Sequence, residues 1–137
     1  MTTIKIGTDI CSIARIAKAY ARFGQRLLKR ILTPEEMEYV LSHKRHLAAR
    51  LAARFAAKEA ASKALGRGFH GLQWKEIEIV KEPSGAPALR LHGRAAKIAR
   101  QSGLTCFEVS LSHERDYASA LVLAYGAALD VPAPPLA

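Results

Sequence analysis

Hydrophobic and polar positions alternate from the start of the chain. Ile4, Ile6, Thr8 and Ile10 interleave with Lys5, Gly7 and Asp9, the period-two pattern of a strand with one buried face. The isoleucines are expected to line that face, which turns Asp9 away from them. Ser12 then suits the N-cap of a helix whose Ile13, Ile16, Ala17 and Tyr20 follow i, i+3, i+4, i+7 spacing, with Gly24 as its break. Thr33-Pro34-Glu35-Glu36 supplies an N-cap, a proline at the first helical position and a glutamate three residues after the cap. That capping box starts another helix. From about Leu47 to Leu65 the chain is alanine-rich, with Leu47, Leu51 and Phe55 at i, i+4 spacing, and Gly66 and Gly68 close a long helix.

Beyond it, Glu76 to Lys81 alternates as a strand, Pro83-Ser84-Gly85 forms a turn and Ala88 to His92 returns as a second strand. Arg94 to Ser102 reads as a short helix ended by Gly103. Thr105 to Ser112 and Tyr117 to Tyr125 read as two strands joined by a polar turn, His113 to Asp116. The fold class expected is α+β, a mostly antiparallel sheet packed against a long helix. One domain over residues 1–126 and a proline-rich tail over residues 127–137 complete the organisation, with no internal repeat or linker.

A chain of 137 residues has the length of a single domain. Its apolar runs fall far short of the roughly 20 residues that span a membrane. The first residues carry no basic, apolar and cleavage-site succession, and Cys11 and Cys106 sit far apart without a CxxC pattern. A cytoplasmic protein with reduced thiols is expected. The formal charge of +9 implies an anionic partner or substrate. Six basic residues and no acid fall between Ile10 and Thr33: Arg15, Lys18, Arg22, Arg26, Lys29 and Arg30. That segment is a candidate docking surface.

On the long helix the stripe Leu47, Leu51, Phe55 continues into Glu59 and Lys63, so charged groups occupy what would be the next core positions. A buried unpaired charge costs several kcal/mol, so these two must face a partner, a metal or a cleft. The plainer alternative is an i, i+4 ion pair on the surface, worth roughly 0.2–0.5 kcal/mol. Asp9 has the same two readings, solvated acid or ligand. Two carboxylates from different elements, together with substrate phosphates, suit Mg²⁺, which dehydrates reluctantly and keeps several waters. Arg54, Lys58 and Lys63 surround Glu59 in sequence, and Gly66-Arg67-Gly68 follows, a setting in which phosphate groups would be neutralised. His113 stands at a strand end, where it is either a surface residue or part of a site. The sequence holds no HExxH, GxSxG, Walker-type or dinucleotide-binding glycine motif.

Three segments together resemble the holo-(acyl carrier protein) synthases, the small bacterial type of 4′-phosphopantetheinyl transferase. They are Ile6 to Ile10, Arg54 to Gly66 with its KEAxxK core, and Val109 to His113 followed by Tyr117-Ala118. The resemblance spans roughly residues 4–125. Leu65 replaces a frequent phenylalanine, Gly85-Ala86-Pro87 a more usual Gly-Lys-Pro, and the tail lies beyond the shared core.

The resemblance implies that Asp9 and Glu59 hold Mg²⁺ beside the pyrophosphate of coenzyme A and that Lys63 takes part in catalysis and phosphate handling. Arg54, Lys58, Gly66 and His113 match positions of the coenzyme A site. Arg15 matches the family's basic docking residue for an acidic acyl carrier protein, with Arg22, Arg26 and Arg30 as looser counterparts. The implied reaction is attack by a carrier serine on the β-phosphate of coenzyme A, releasing 3′,5′-ADP, with Glu59, Asp9 or solvent taking the proton; the implied assembly is a homotrimer. Two other classes compete on composition alone. A basic nucleic-acid-binding module is expected to carry closely spaced strand aromatics, which are missing at 7% aromatic content. A non-catalytic adaptor for an acidic protein leaves Asp9 and Glu59 without a purpose.

Overall fold

The computed structural model describes residues 3–126, so the proline-rich tail falls outside the described residues. The elements in order are β1 (Ile4–Ser12), α1 (Ile13–Phe23), α2 (Gln25–Ile31), α3 (Pro34–Leu41), α4 (Leu47–Ala64), β2 (Ile77–Lys81), β3 (Pro87–Leu91), α5 (Gly93–Gln101), β4 (Cys106–His113) and β5 (Tyr117–Tyr125). β1, β5 and β4 form an antiparallel three-stranded sheet with β5 in the centre, and β2 and β3 form a separate hairpin. The α+β class is as expected from the sequence, with the strands divided between two sheets.

Local chemistry sets the helix boundaries. Ser12 caps α1 by accepting from the Arg15 N–H, and the Thr33–Glu36 capping box is complete at α3. At the end of α4, Gly66 has φ +75°, a left-handed conformation that glycine adopts without a Cβ penalty.

α4 lies across the sheet, and the reason is side-chain size. Ala56, Ala57, Ala60, Ala61 and Ala64 pack with Ala120, Val122 and Ala124 of β5. β1 comes closer still at Gly7, where an added Cβ would stand 2.8 Å from the Ala60 carbonyl carbon and 2.9 Å from the Ala64 nitrogen. No side chain fits there. A second apolar layer, with Ile16, Leu28, Ile31, Leu32, Val40 and Leu51, joins α1, α2 and α3 to the first half of α4.

This arrangement corrects the expected orientation of β1. The alternation is real, but the face pressed on α4 is that of Gly7 and Asp9, while Ile4, Ile6 and Ile10 are 60–65% exposed. Register puts Leu121 opposite Thr8 and Tyr117 opposite Ser12 on β5, and both are also exposed. The sheet therefore carries an uncovered apolar face on the side away from α4. Asp9 still points away from the isoleucines, as expected, and that direction is inward. His113, placed in the polar turn by its sequence context, is the last residue of β4.

Candidate functional site

Asp9, Glu59 and Lys63 meet in one cleft of about 510 Å³, bounded by β1, α1, α2 and α4, with Arg15, Ile16 and Phe55 in its walls. Asp9 reaches it from the α4-facing side of β1, and Glu59 and Lys63 come from successive turns of α4, where the core stripe gives way to charge. The Lys63 ammonium donates to the Thr8 carbonyl at 2.9 Å and to Asp9 Oδ1 at 3.2 Å, and its side chain is 51% exposed. It is therefore held near the acids yet open to a ligand. Burial and the negative charge of Asp9 push the Glu59 carboxyl above its usual range, against the opposing pull of Lys63. Burial and the neighbouring acids likewise push up the Cys11 thiol, so this cysteine is a poor nucleophile.

Arg54 and His113 lie elsewhere. They line a second cleft of about 310 Å³ with Tyr39, His46, Arg50 and Leu111. The Arg54 guanidinium stacks 4.0 Å from the Tyr39 ring centroid, with Arg50 at 4.3 Å and Lys81 at 5.3 Å. Arg54 is buried and its Nε has no hydrogen-bond partner among the described residues. A buried unpartnered donor costs about 1–3 kcal/mol, so this group is poised for an acceptor from outside. Burial lowers the Arg54 pKa, and desolvation by its neighbours together with His43, Arg50, Arg45 and His113 lowers that of exposed His46. Its cationic lining suits the cleft to an anion.

Lys58 requires a correction. Expected at the coenzyme A site, its ammonium is fully buried and bonds Glu36 Oε1 at 2.8 Å, the Trp74 carbonyl at 3.1 Å and the Ile77 carbonyl at 2.5 Å. All three protons are used within the protein, so it has none to offer a phosphate. Burial lowers its pKa and Glu36 opposes that shift. Gly66 is exposed at the exit of α4, three residues beyond Lys63. Arg22 and Arg26 are exposed on α1 and α2, with Arg22 lying 5.0 Å from the Phe23 ring centroid.

Sequence reasoning missed Glu36 as the partner of Lys58, because a capping-box glutamate is ordinarily a surface residue. It also missed Arg50, His46 and Tyr39. For Arg50 a signal existed, since it stands one turn before Arg54 on α4.

The donor set fits a hard divalent ion. Two carboxylates face one cleft, and no group of three His, Cys, Asp or Glu side chains assembles among the described residues. That is too few ligands for a closed zinc cage and appropriate to Mg²⁺, which fills its shell with water and phosphate oxygens.

Residues 5–122 match the 4′-phosphopantetheinyl transferase superfamily. A holo-[acyl-carrier-protein] synthase of Edwardsiella ictaluri is 46% identical over 130 residues, covering 92% of this chain and 100% of that protein. The synthase structure from Neisseria meningitidis has a TM-score of 0.80 at 38% identity, over 88% of this chain and 96% of that one. The Helicobacter pylori synthase in complex with coenzyme A has a TM-score of 0.77 at 35% identity, over 87% and 98% of the two chains. With its acid cleft, its alanine-faced helix and likeness along nearly the whole described length, the chain belongs to the holo-[acyl-carrier-protein] synthase family of 4′-phosphopantetheinyl transferases.

Proposed function

We propose that this protein transfers the 4′-phosphopantetheine group of coenzyme A to a serine of an apo acyl carrier protein, as a Mg²⁺-dependent enzyme. The observation that carries the reading is the convergence of Asp9, Glu59 and Lys63 in one cleft from segments about 50 residues apart.

The serine Oγ attacks the β-phosphorus of coenzyme A, the bond from that phosphorus to the oxygen bridging the two phosphates breaks, and 3′,5′-ADP leaves with the bonding electrons. Phosphoryl transfer is mostly positioning and charge stabilisation. Asp9 and Glu59 would hold Mg²⁺, which when bound supplies positive charge against the pyrophosphate oxygens. Lys63, anchored by Thr8 and Asp9 and half exposed, has the freedom to turn its ammonium to a phosphate oxygen. Glu59 takes the serine proton in this reading, as a carboxylate that faces the cleft beside Asp9 and Lys63. Arg54 and His113 serve another anionic part of coenzyme A from the second cleft, whose unpartnered Arg54 Nε supports that role.

Arg15, on the rim of the acid cleft, and exposed Arg22 and Arg26 form the docking surface for an acidic carrier protein. The apolar face of Ile4, Ile6, Ile10 and Leu121 supports a homotrimer closed through this sheet. The cytoplasm, where unpaired Cys11 and Cys106 stay reduced, is the compartment of the reaction. Purified protein with coenzyme A, Mg²⁺ and apo carrier protein is expected to add one phosphopantetheine per carrier, read by intact mass. An unchanged carrier mass refutes the proposal.

A further inference from the structure

The buried Lys58–Glu36 pair lies outside both clefts, yet it adjoins the acid on which transfer depends. Glu36 is 2% exposed and Lys58 0%. Glu36 Oε1 accepts from the Thr33 N–H at 3.0 Å and from Lys58, and its Oε2 accepts from the Ile79 N–H at 3.1 Å. Lys58 donates in addition to the carbonyls of Trp74 and Ile77. Two side chains thus tie the start of α3, the middle of α4, the turn before β2 and β2 itself.

Replacing a buried ion pair by apolar groups of similar volume is often neutral or stabilising. Stability alone gives little reason for these charges, whereas fixed hydrogen-bond geometry does. Lys58 precedes Glu59 in α4, and Ala60 follows it, pressed against Gly7 of β1. Glu59 is bracketed by one polar and one steric clamp, on the residues either side of it in a stiff helix. A second route leads to the same cleft: Trp74, whose carbonyl Lys58 holds, stacks on Phe55 at 4.8 Å, and Phe55 lines the acid cleft.

We infer that Glu36 and Lys58 are positioning residues, a buried latch that fixes the rotation and height of α4 so that the Glu59 carboxylate faces Asp9 at the working distance. The inference rests on the proposed transferase reading. Misplacement by about 1 Å in such a site costs on the order of 100-fold in rate.

The test uses Lys58→Met and Glu36→Gln in the full chain, with Val40→Ala as a control. Val40 is fully buried on α3 in the same apolar layer, so its truncation loosens the core without touching the latch. At a temperature where all the proteins are folded by circular dichroism, both latch variants are expected to lose roughly tenfold or more in kcat. Their affinity for coenzyme A, measured by calorimetry without metal, should stay within about threefold of wild type, because the long, half-exposed Lys63 side chain can follow a small shift of α4 that the shorter Glu59 carboxylate cannot. Val40→Ala should keep its kcat. Should Lys58→Met fail to fold, Glu36→Gln, which retains the side-chain volume, decides. Latch variants with the kcat of Val40→Ala overturn the inference alone; a wild-type protein without transfer activity overturns the proposed function and this inference with it.

Discussion

Replacing Gly7 by alanine tests how closely β1 and α4 must approach. The new Cβ meets the carbonyl of Ala60 and the backbone nitrogen of Ala64, at 2.8 Å for the carbonyl carbon and 2.9 Å for the nitrogen. Every obstructing atom is main chain, so no rotamer change relieves the overlap. Ordinary van der Waals contact between such atoms lies at about 3.5–4 Å, so α4 must lift by roughly 1 Å. Overpacking of this kind costs about 1–3 kcal/mol. The lift also stretches the Lys63 bonds to Thr8 and Asp9, now 2.9 and 3.2 Å, and separates the carboxylates of Asp9 and Glu59. A displacement of about 1 Å lowers a rate by on the order of 100-fold, which at 1.36 kcal/mol per factor of ten is about 2.7 kcal/mol of barrier. Thermal melting followed by circular dichroism and transfer rate followed by carrier mass measure the two effects. Gly7→Ala with wild-type melting temperature and wild-type rate refutes the close-packing argument.

Glu59→Gln is expected to reduce transfer by at least about 100-fold while melting no lower than wild type. A carboxyl whose pKa is raised on folding loses stability as pH rises through that value, so removing its charge relieves the native state at neutral pH. A lowered melting temperature contradicts that sign. Arg22→Glu should raise the KM for carrier protein on the order of tenfold and leave coenzyme A affinity unchanged, by kinetics at two ionic strengths; equal loss of both removes Arg22 from docking. Ile6→Glu, at a position 63% exposed on the uncovered sheet face, should dissociate the proposed trimer in light scattering, and an unchanged mass excludes that face as the interface. Burial raises the Glu78 pKa, but hydrogen bonds from Thr33 and His92 and the charges of His92 and Arg90 outweigh it and hold the carboxyl below its usual range. Its stabilisation is full above about pH 4.3, the unfolded value, and is lost as pH falls through the lower folded value. Glu78→Gln should flatten the acid side of the melting-temperature profile.

Much of this was legible in the chain because it is written in local chemistry. Capping residues fixed the starts of α1 and α3, glycines fixed the ends of α1 and α4, and Glu59 and Lys63 stood out because charge replaced a core stripe. The side on which β1 is buried was not legible. Period-two alternation states that two faces differ and leaves open which one meets the helix; a single glycine decided it, since only the Gly7 side admits α4 at that distance. Lys58 misled for a related reason. Residues 58 and 59 look alike in sequence as charged positions of one motif, but a turn of about 100° per residue sends one to the interior and the other to the cleft. Its partner Glu36 is 22 residues away, beyond any local pattern.

Trp74 is the only tryptophan in the chain. Its ring is stacked between Phe69 at 3.8 Å and Phe55 at 4.8 Å, and Phe55 forms part of the wall of the acid cleft. The indole is therefore an optical probe already in place, one aromatic ring removed from the acid cleft. Its emission should report filling of the cleft in real time, without a label, and separate the binding step from the chemistry that follows.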